Sequence, residues 1–250
     1  MAGCLTAVRA QVESALAGRF PSPFTFNDSN IVETVSTGIP EADGLTGGLP
    51  QGGITEICGP SCSGRTSLLM SALASRTGAA EVCAFIDGRN AFDPSSAEAT
   101  GVQLKQLMWV RCRNVDQALR ATDLILHGGG FGLVALDLGD IPLEVVRRVP
   151  LNVWFRFRRA VQDTPVKLLL LEQEPQAKTC ASLVLRMETE EAHWVKATQG
   201  DHDFVRRPRA RLFAGSLLRT EVVRSRLQHG SQGWPNGASI NLESKYRSPC

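Results

Sequence analysis

The stretch that decides the fold is residues 54–70, which read ITEICGPSCSGRTSLLM. A short run rich in β-branched residues, 54–58, ends at Gly59, a loop of small residues follows, and a helical pattern begins near Gly64. A loop between a strand and a helix binds phosphate when its backbone N–H groups and the positive end of the helix dipole converge on one point. The stretch therefore predicts a strand, a phosphate-binding loop and a helix.

The loop has the spacing of the motif G-x-x-x-x-G-K-S/T, with arginine in the place of lysine. Arg65 keeps the positive charge but has a wide planar guanidinium, and Thr66 stands where a hydroxyl would hold Mg²⁺. ATP and Mg²⁺ are the expected cofactors if the loop binds nucleotide, and a glycine-rich turn without a ligand is the alternative. The predicted nucleotide-binding residues are Gly59, Pro60, Ser61, Cys62, Ser63, Gly64, Arg65, Thr66 and Ser67.

Length and composition indicate one large α/β domain, or one domain with a small attachment. The chain has 250 residues, 43% of them hydrophobic, and a formal net charge of +2, so only a local basic cluster could attract nucleic acid. The seven cysteines form no C-x-x-C pair, which disfavours zinc and favours a reducing compartment. Because no signal peptide or bilayer-spanning run is evident, we expect a cytoplasmic protein with no membrane contact.

Apolar runs and amphipathic segments alternate beyond the phosphate loop, which predicts a mostly parallel sheet flanked by helices. Further strands are predicted at 81–87, 107–110, 131–137 and 166–171, and helices at 95–100, 114–127 and 145–163. The strand at 131–137 ends in Asp137. An aspartate at this place in phosphate-loop proteins reaches the metal or its water, so Asp137 and Thr66 are the predicted Mg²⁺ ligands.

The two ends of the chain differ from this core. Residues 1–33 read as an amphipathic helix over 5–20 and a polar linker, and the helix either packs on its own domain or mediates self-association. Residues 34–226 are the predicted core with an antiparallel C-terminal β extension, in which strands at 182–187 and 193–196 are separated by a turn of acids. Residues 227–250 are predicted to be a disordered tail.

An arginine-rich segment, residues 206–226, carries seven arginines against one acid, Glu221. Clustered guanidiniums neutralise phosphates without reading bases, which favours weak and non-specific DNA binding. Aromatic residues are few and do not alternate with basic ones, so base stacking is not expected. A solvated charged surface is the alternative. The predicted DNA-binding residues are Arg206, Arg207, Arg209 and Arg211.

Taken in order, these segments resemble the core of RecA-type recombinases over residues 34–187. The matching segments are 36–38, 47–52, the strand and loop at 56–60, 83–87 with 93–94, 101–102, 107, 117–119, Asp137 and 172–173. The resemblance implies a RecA-like P-loop fold, ATP with Mg²⁺ as cofactors, and single-stranded DNA as a ligand. It also implies that Gln173 occupies the switch position that links nucleotide binding to DNA binding.

The departures from this family concern catalysis and DNA pairing. The resemblance puts Arg89 where recombinases carry the glutamate that positions the attacking water, and Ser96 where an aromatic residue stacks on adenine. Both loops that would bind DNA are short, at 139–150 and 174–179. These changes favour a largely non-catalytic protein that hydrolyses ATP weakly at most.

Within the RecA-like proteins the chain most resembles the ImuA group, which serves translesion synthesis in the bacterial DNA damage (SOS) response. That resemblance implies partners in a translesion polymerase assembly, of the ImuB and RecA kinds. Two alternatives stay open. One is an active DNA-dependent ATPase or recombinase, which the nearly complete phosphate loop and Asp137 support. The other is a SulA-like cell-division inhibitor, for which the sequence presents no recognisable surface.

Overall fold

The computed structural model describes residues 32–196, 211–227 and 238–243. For residues 195–196, 211–212 and 238–243 it describes the backbone alone. The predicted N-terminal helix at 5–20 lies outside these ranges, as do Arg206, Arg207 and Arg209. None of the described helices is long and apolar enough to cross a bilayer.

Strands and helices alternate through most of the described chain. The strands are β1 (Thr34–Val35), β2 (Leu49–Pro50), β3 (Gly53–Cys58), β4 (Cys83–Asp87), β5 (Leu107–Arg111), β6 (Leu133–Asp137), β7 (Lys167–Glu172), β8 (Leu183–Lys196), β9 (Arg211–Ser225) and β10 (Ala238–Glu243). The α-helices are α1 (Pro40–Thr46), α2 (Arg65–Gly78), α3 (Pro94–Ala99), α4 (Val115–Gly128), α5 (Leu143–Val146) and α6 (Leu151–Val161). Asn114, a residue type that favours helix starts, caps α4: its Oδ1 accepts the Gln117 N–H at 2.9 Å.

Eight of the described strands form one sheet in the order β10-β9-β8-β3-β7-β6-β4-β5. All neighbours from β8 to β5 are parallel, whereas β9 is antiparallel to both β8 and β10. The predicted α/β architecture, with its mostly parallel sheet and antiparallel C-terminal extension, is confirmed. The carboxyl ends of β3, β7, β6 and β4 meet at one edge of the sheet, where ligands bind in folds of this kind.

The central strands β3, β4, β6 and β7 are buried on both faces, which explains why they read as continuous apolar runs. Along β7, Leu168 and Leu170 belong to the core cluster shared with α4 and α6, whereas Leu169 and Leu171 belong to the cluster shared with α1 and α2. Successive side chains of a strand point to opposite faces, so this alternation follows from strand geometry. The helices therefore lie on both faces, as predicted.

Two predicted elements have different boundaries in the structure. The single helix predicted at 145–163 is wrong, because the segment forms α5 and α6 on either side of Pro150. Proline has no N–H with which to continue a helix, so it is tolerated at a helix start. The predicted turn of acids is also wrong: Glu188, Glu190 and Glu191 lie within β8, where they are exposed and need no turn to reach solvent.

The predicted tail at 227–250 also departs from expectation. Residues Ala238–Glu243 form β10, which pairs with β9 from Gly215 to Thr220. The prediction of disorder is therefore wrong for these six residues, which gain backbone hydrogen bonds from an existing strand edge. Composition could not indicate this, because the partner strand lies elsewhere in the chain.

Candidate nucleotide site

The predicted phosphate loop joins β3 to α2 at the carboxyl edge of the sheet. Cys62 and Gly64 have left-handed backbone, with φ of 63° and 84°, so the loop turns sharply into the helix. The Gly59 N–H donates to the Glu172 carbonyl at the end of β7 at 3.3 Å. A β-carbon at Gly59 would clash with the Met187 carbonyl, which explains the glycine there.

Arg65, the residue that replaces the motif lysine, is turned into the protein and is 6% exposed. Its Nη1 donates to the Glu172 carbonyl at 2.6 Å and to the Gly139 carbonyl at 3.4 Å, and Nη2 reaches the Gly139 carbonyl at 3.5 Å. A β-carbon at Gly139 would lie 2.7 Å from Nη1, so glycine leaves room for the guanidinium. Arg65 therefore ties α2 to the ends of β6 and β7 through backbone carbonyls.

Asp137, at the end of β6, lies at the same edge as Arg65 and is half-buried. Its Oδ1 accepts the Gly139 N–H at 2.8 Å. Burial raises the pKa of Asp137 to about 6, the charge of Asp140 raises it further, and the Gly139 N–H and Arg65 oppose this shift. Thr66 is exposed on the first turn of α2. No group of three His, Cys, Asp or Glu side chains in the described ranges could hold a metal ion.

The β8–β9 hairpin covers one side of the loop, which the sequence did not predict. Leu218 of β9 is fully buried, and a β-carbon at Gly64 would overlap its side chain. Thr189 of β8 donates through Oγ1 to the Cys62 carbonyl at 2.6 Å. An apolar side chain thus packs at the start of α2, where the motif predicts a phosphate. No local pattern could reveal this, because Leu218 is one apolar residue in an ordinary strand.

The two other departures noted from the sequence are Arg89, in the loop after β4, and Ser96, in α3. Asp87 is buried and organises this loop: its Oδ1 accepts the N–H groups of Arg89 and Ala91, both at 3.1 Å. Arg89 itself is exposed and forms no ion pair with any described residue. Ser96 is also exposed, and its N–H and hydroxyl both donate to Asp93, the cap of α3. Neither position offers a carboxylate or a ring to a nucleotide.

A buried pair of carboxyl groups, Glu56 and Glu172, lies beneath the loop after β7. Glu56 Oε1 accepts the N–H groups of Gln176 and Ala177 at 2.7 and 2.6 Å, and Glu172 Oε2 accepts the Gln176 N–H at 3.0 Å. Burial raises both pKa values, and the charge of Glu56 pushes the pKa of Glu172 well above its usual range. Glu56 Oε2 and Glu172 Oε1 are buried without a hydrogen-bond partner among the described residues, and the raised pKa of Glu172 favours its protonated form beside Glu56.

Gln173, the predicted switch residue, connects two loops at this edge. Its Nε2 donates to the Ile141 carbonyl at 3.0 Å, which links the loop after β7 to the loop after β6. An open cleft of about 340 Å³ adjoins it. The residues that line this cleft are Gly59, Pro60, Leu143, Gln173, Glu174, Pro175, Arg186 and Glu188.

Taken together, the residues at this edge do not fit an ATP-hydrolysing centre with Mg²⁺. The cation that should face the phosphates binds carbonyls, Leu218 packs against Gly64, and Arg89 replaces the catalytic carboxylate that the resemblance requires. The structure does bring the predicted loop, Asp137 and Gln173 to one edge. Of the predicted DNA-binding residues, Arg211 begins β9 and its side chain is not described, and the other three lie outside the described chain.

Known proteins are similar in sequence to part of this chain. Residues 24–141 match the RecA N-terminal domain family. This part of the chain is similar to the RecA N-terminal domain. Protein RecA of Psychrobacter cryohalolentis is 39% identical over 110 residues, which cover 44% of this chain and 31% of that protein. Protein RecA of Colwellia psychrerythraea is 35% identical over 135 residues, which cover 53% of this chain and 39% of that protein.

The aligned RecA-like region therefore spans well under half the length of these relatives. A crystal structure of the RadB recombinase superposes with a TM-score of 0.59 and covers 84% of this chain and 96% of its own. Its sequence identity of 15% makes this a likeness of fold alone. The RecA-like fold thus extends beyond the region in which sequences align.

Proposed function

We propose that this chain is a RecA-like accessory protein of the DNA damage response that acts through protein contacts and weak DNA contacts. Its resemblance to the ImuA group, which serves translesion synthesis, supports this role, and its departures from recombinases that turn over ATP support a largely non-catalytic protein. We expect its partners to be the ImuB-like and RecA-like components of a translesion polymerase assembly in the cytoplasm.

The inward orientation of Arg65 carries this proposal. Phosphoryl transfer needs cations that face the phosphates and a residue that orients the attacking water. Here the guanidinium of Arg65 is buried against the carbonyls of Glu172 and Gly139, and Arg89 is an exposed arginine. The edge of the sheet is thereby held together by the chain's own cation.

An active DNA-dependent ATPase is the second candidate, because the relatives that align with this chain are named Protein RecA. ATP turnover of the purified protein, with and without single-stranded DNA, separates the two. We expect turnover far below ~1 s⁻¹, the lower end of the ordinary enzyme range, and no stimulation by DNA. DNA-stimulated turnover at or above that range would contradict the accessory role.

The DNA contact is proposed at Arg206, Arg207, Arg209 and Arg211. Each phosphate neutralised on a single strand should contribute a slope of about −0.7 to the dependence of log affinity on log salt. We therefore expect the triple variant R206A/R207A/R209A to bind a labelled oligothymidylate more weakly and with a shallower salt slope. An unchanged slope would remove these arginines from the DNA contact.

A further inference from the structure

The outer end of the β8–β9 hairpin carries two exposed aromatic rings. We define the β-arm as residues 190–196 of β8 and 211–217 of β9. Every side chain from Glu190 to Trp194 is exposed, so this part of β8 is open to solvent on both faces. From Trp194 and Phe213 outward, the described hairpin consists of its two strands alone, because β10 reaches only as far as Gly215.

Trp194 and Phe213 are directly opposite each other across the β-arm. Their ring centroids are 5.5 Å apart with an interplanar angle of 71°, and the side chains are 55% and 45% exposed. Folding usually buries large aromatic rings, so an exposed pair held in a fixed edge-to-face arrangement marks a contact surface. The two residues are distant in sequence, and only the hairpin register brings them together.

The size of this aromatic pair argues against a protein-sized interface. A stable protein interface needs about 800 Å² from each partner, and two rings provide only a small part of that area. Among the side chains of β9 that the structure describes, from Phe213 onward, the next large exposed apolar one is Val223, which lies about 33 Å along the strand from Phe213. An isolated pair of rings matches the size of one or two flat ligand groups.

Charge indicates which flat group this is. Lys196 lies opposite Arg211 in the strand register, two positions beyond the aromatic pair, and the sequence that joins the two strands adds Arg206, Arg207 and Arg209 against two aspartates. Glu190 and Glu191 lie on the other side of the rings, towards the phosphate loop. A ligand with flat rings and a negatively charged backbone therefore fits the basic outer end of the β-arm better than the acidic end near the phosphate loop.

We propose that Trp194 and Phe213 form a stacking platform for the bases of single-stranded nucleic acid. Stacking needs a base that is not already paired and stacked, so a single strand fits and a duplex does not. This inference rests on the DNA contact proposed above, to which it adds a contact with the bases themselves. It differs from the sequence-based expectation that base stacking is absent.

The test compares the full-length protein with Trp194→Ala on labelled oligothymidylate over a range of salt concentrations. We expect Trp194→Ala to weaken binding by about tenfold at every salt concentration, because one stacked base is lost while the phosphate contacts remain. The salt slope should not change. Trp194→Phe should restore most of the affinity, and Phe155→Ala, which removes an exposed ring from α6, should bind like the wild type.

An abasic oligonucleotide provides a second readout, since it keeps the phosphates and lacks the bases. The wild type should bind the abasic strand about tenfold more weakly than oligothymidylate, and Trp194→Ala should bind both strands equally. If Trp194→Ala binds oligothymidylate as tightly as the wild type while R206A/R207A/R209A binds weakly, the platform is refuted and the arginine contact stands. If the wild type binds no DNA at low salt, both proposals fail. If Trp194→Ala no longer binds a partner of the polymerase assembly but binds DNA like the wild type, the rings contact protein and the stacking proposal is also refuted.

Discussion

The phosphate loop, which the β8–β9 hairpin contacts, and the β-arm at the outer end of that hairpin differ in how their functional side chains are exposed. At the loop, Arg65 is buried and bound to two carbonyls, and Leu218 packs against Gly64. On the β-arm, Trp194 and Phe213 are half-exposed and their rings contact each other. The functional groups of the loop bind other parts of the core, whereas the two rings of the arm are exposed among the described residues.

The contrast teaches that a sequence motif and a working site are separate properties. A phosphate loop acts on a nucleotide only if its cation and its amides face the ligand. Here the strand–loop–helix geometry is retained, while the single change from lysine to arginine provides a planar fork that matches two carbonyls. The retained loop then stabilises the fold and the loops after β6 and β7.

The largest expected effect tests the apolar cover of the loop. Leu218→Ala should lower the free energy of unfolding by about 3 kcal/mol, because it leaves a cavity beside Gly64 in a fully buried region. Leu217→Ala is the matched control. The Leu217 side chain is only half-buried, so its removal should lower the free energy of unfolding clearly less. Equal costs in urea unfolding would show that Leu218 does not pack as described.

The second effect tests the tether at the loop. Arg65→Ala should lower the free energy of unfolding by about 2 kcal/mol, because the buried Gly139 carbonyl loses its donor and the Glu172 carbonyl keeps only the Gly59 N–H. Arg65→Lys should cost less and should tighten the binding of a fluorescent ATP analogue, since an ammonium cannot bridge both carbonyls and can turn to a phosphate. Arg89→Ala, at an exposed arginine, is the control and should leave the unfolding midpoint unchanged.

If Arg65→Ala unfolds at the wild-type midpoint, the tether has no structural role. If Arg65→Lys leaves nucleotide affinity unchanged, the loop is a structural element that no longer serves as a nucleotide site.

The third effect concerns the buried acids that hold the loop after β7. The folded state raises the pKa of Glu172, so it binds that proton more tightly than the unfolded state, and stability falls as pH rises above the ordinary carboxyl range. Glu172→Gln keeps the shape and the hydrogen bonds without the ionisation. The variant should therefore show a flatter pH dependence. The difference in free energy of unfolding between variant and wild type should be about 1 kcal/mol more favourable to the variant at pH 8 than at pH 5.

Glu98→Gln, at an exposed residue, is the control for this pH dependence and should follow the wild-type curve. Thermal unfolding at a series of pH values measures both variants. A Glu172→Gln variant with the same pH dependence as the wild type would mean that the buried pair does not share a proton.

The smallest expected effect separates the β-arm from the core. Trp194→Ala should change the free energy of unfolding by only about 0.5 kcal/mol, because the ring is half-exposed and its main neighbour is Phe213. Trp154→Ala, which removes a ring that is 1% exposed, should cost about 4 kcal/mol. A large loss of stability in Trp194→Ala would make the aromatic pair a structural element and weaken its role as a contact surface.

Local patterns were sufficient to predict most of the fold. Residue type and spacing within one element were enough to predict the strand, loop and helix at 54–70 and the segments that form the parallel strands. The same local pattern accounts for the Asn114 cap. The errors occurred where a pattern has two solutions. Pro150 divided an amphipathic run into two helices, and exposed acids continued β8 instead of turning it.

The sequence alone determined that the chain has an α/β core with a phosphate-type loop, that this core resembles the RecA family, and that the catalytic positions are altered. Only the tertiary structure decided what the altered residues do. The partners of Arg65 lie 74 and 107 positions away, and Leu218 and the Trp194–Phe213 pair depend on the register of the β8–β9 hairpin. The physical reason is that backbone periodicity is set by neighbouring residues, whereas the direction of a buried guanidinium is set by whichever distant carbonyls satisfy it.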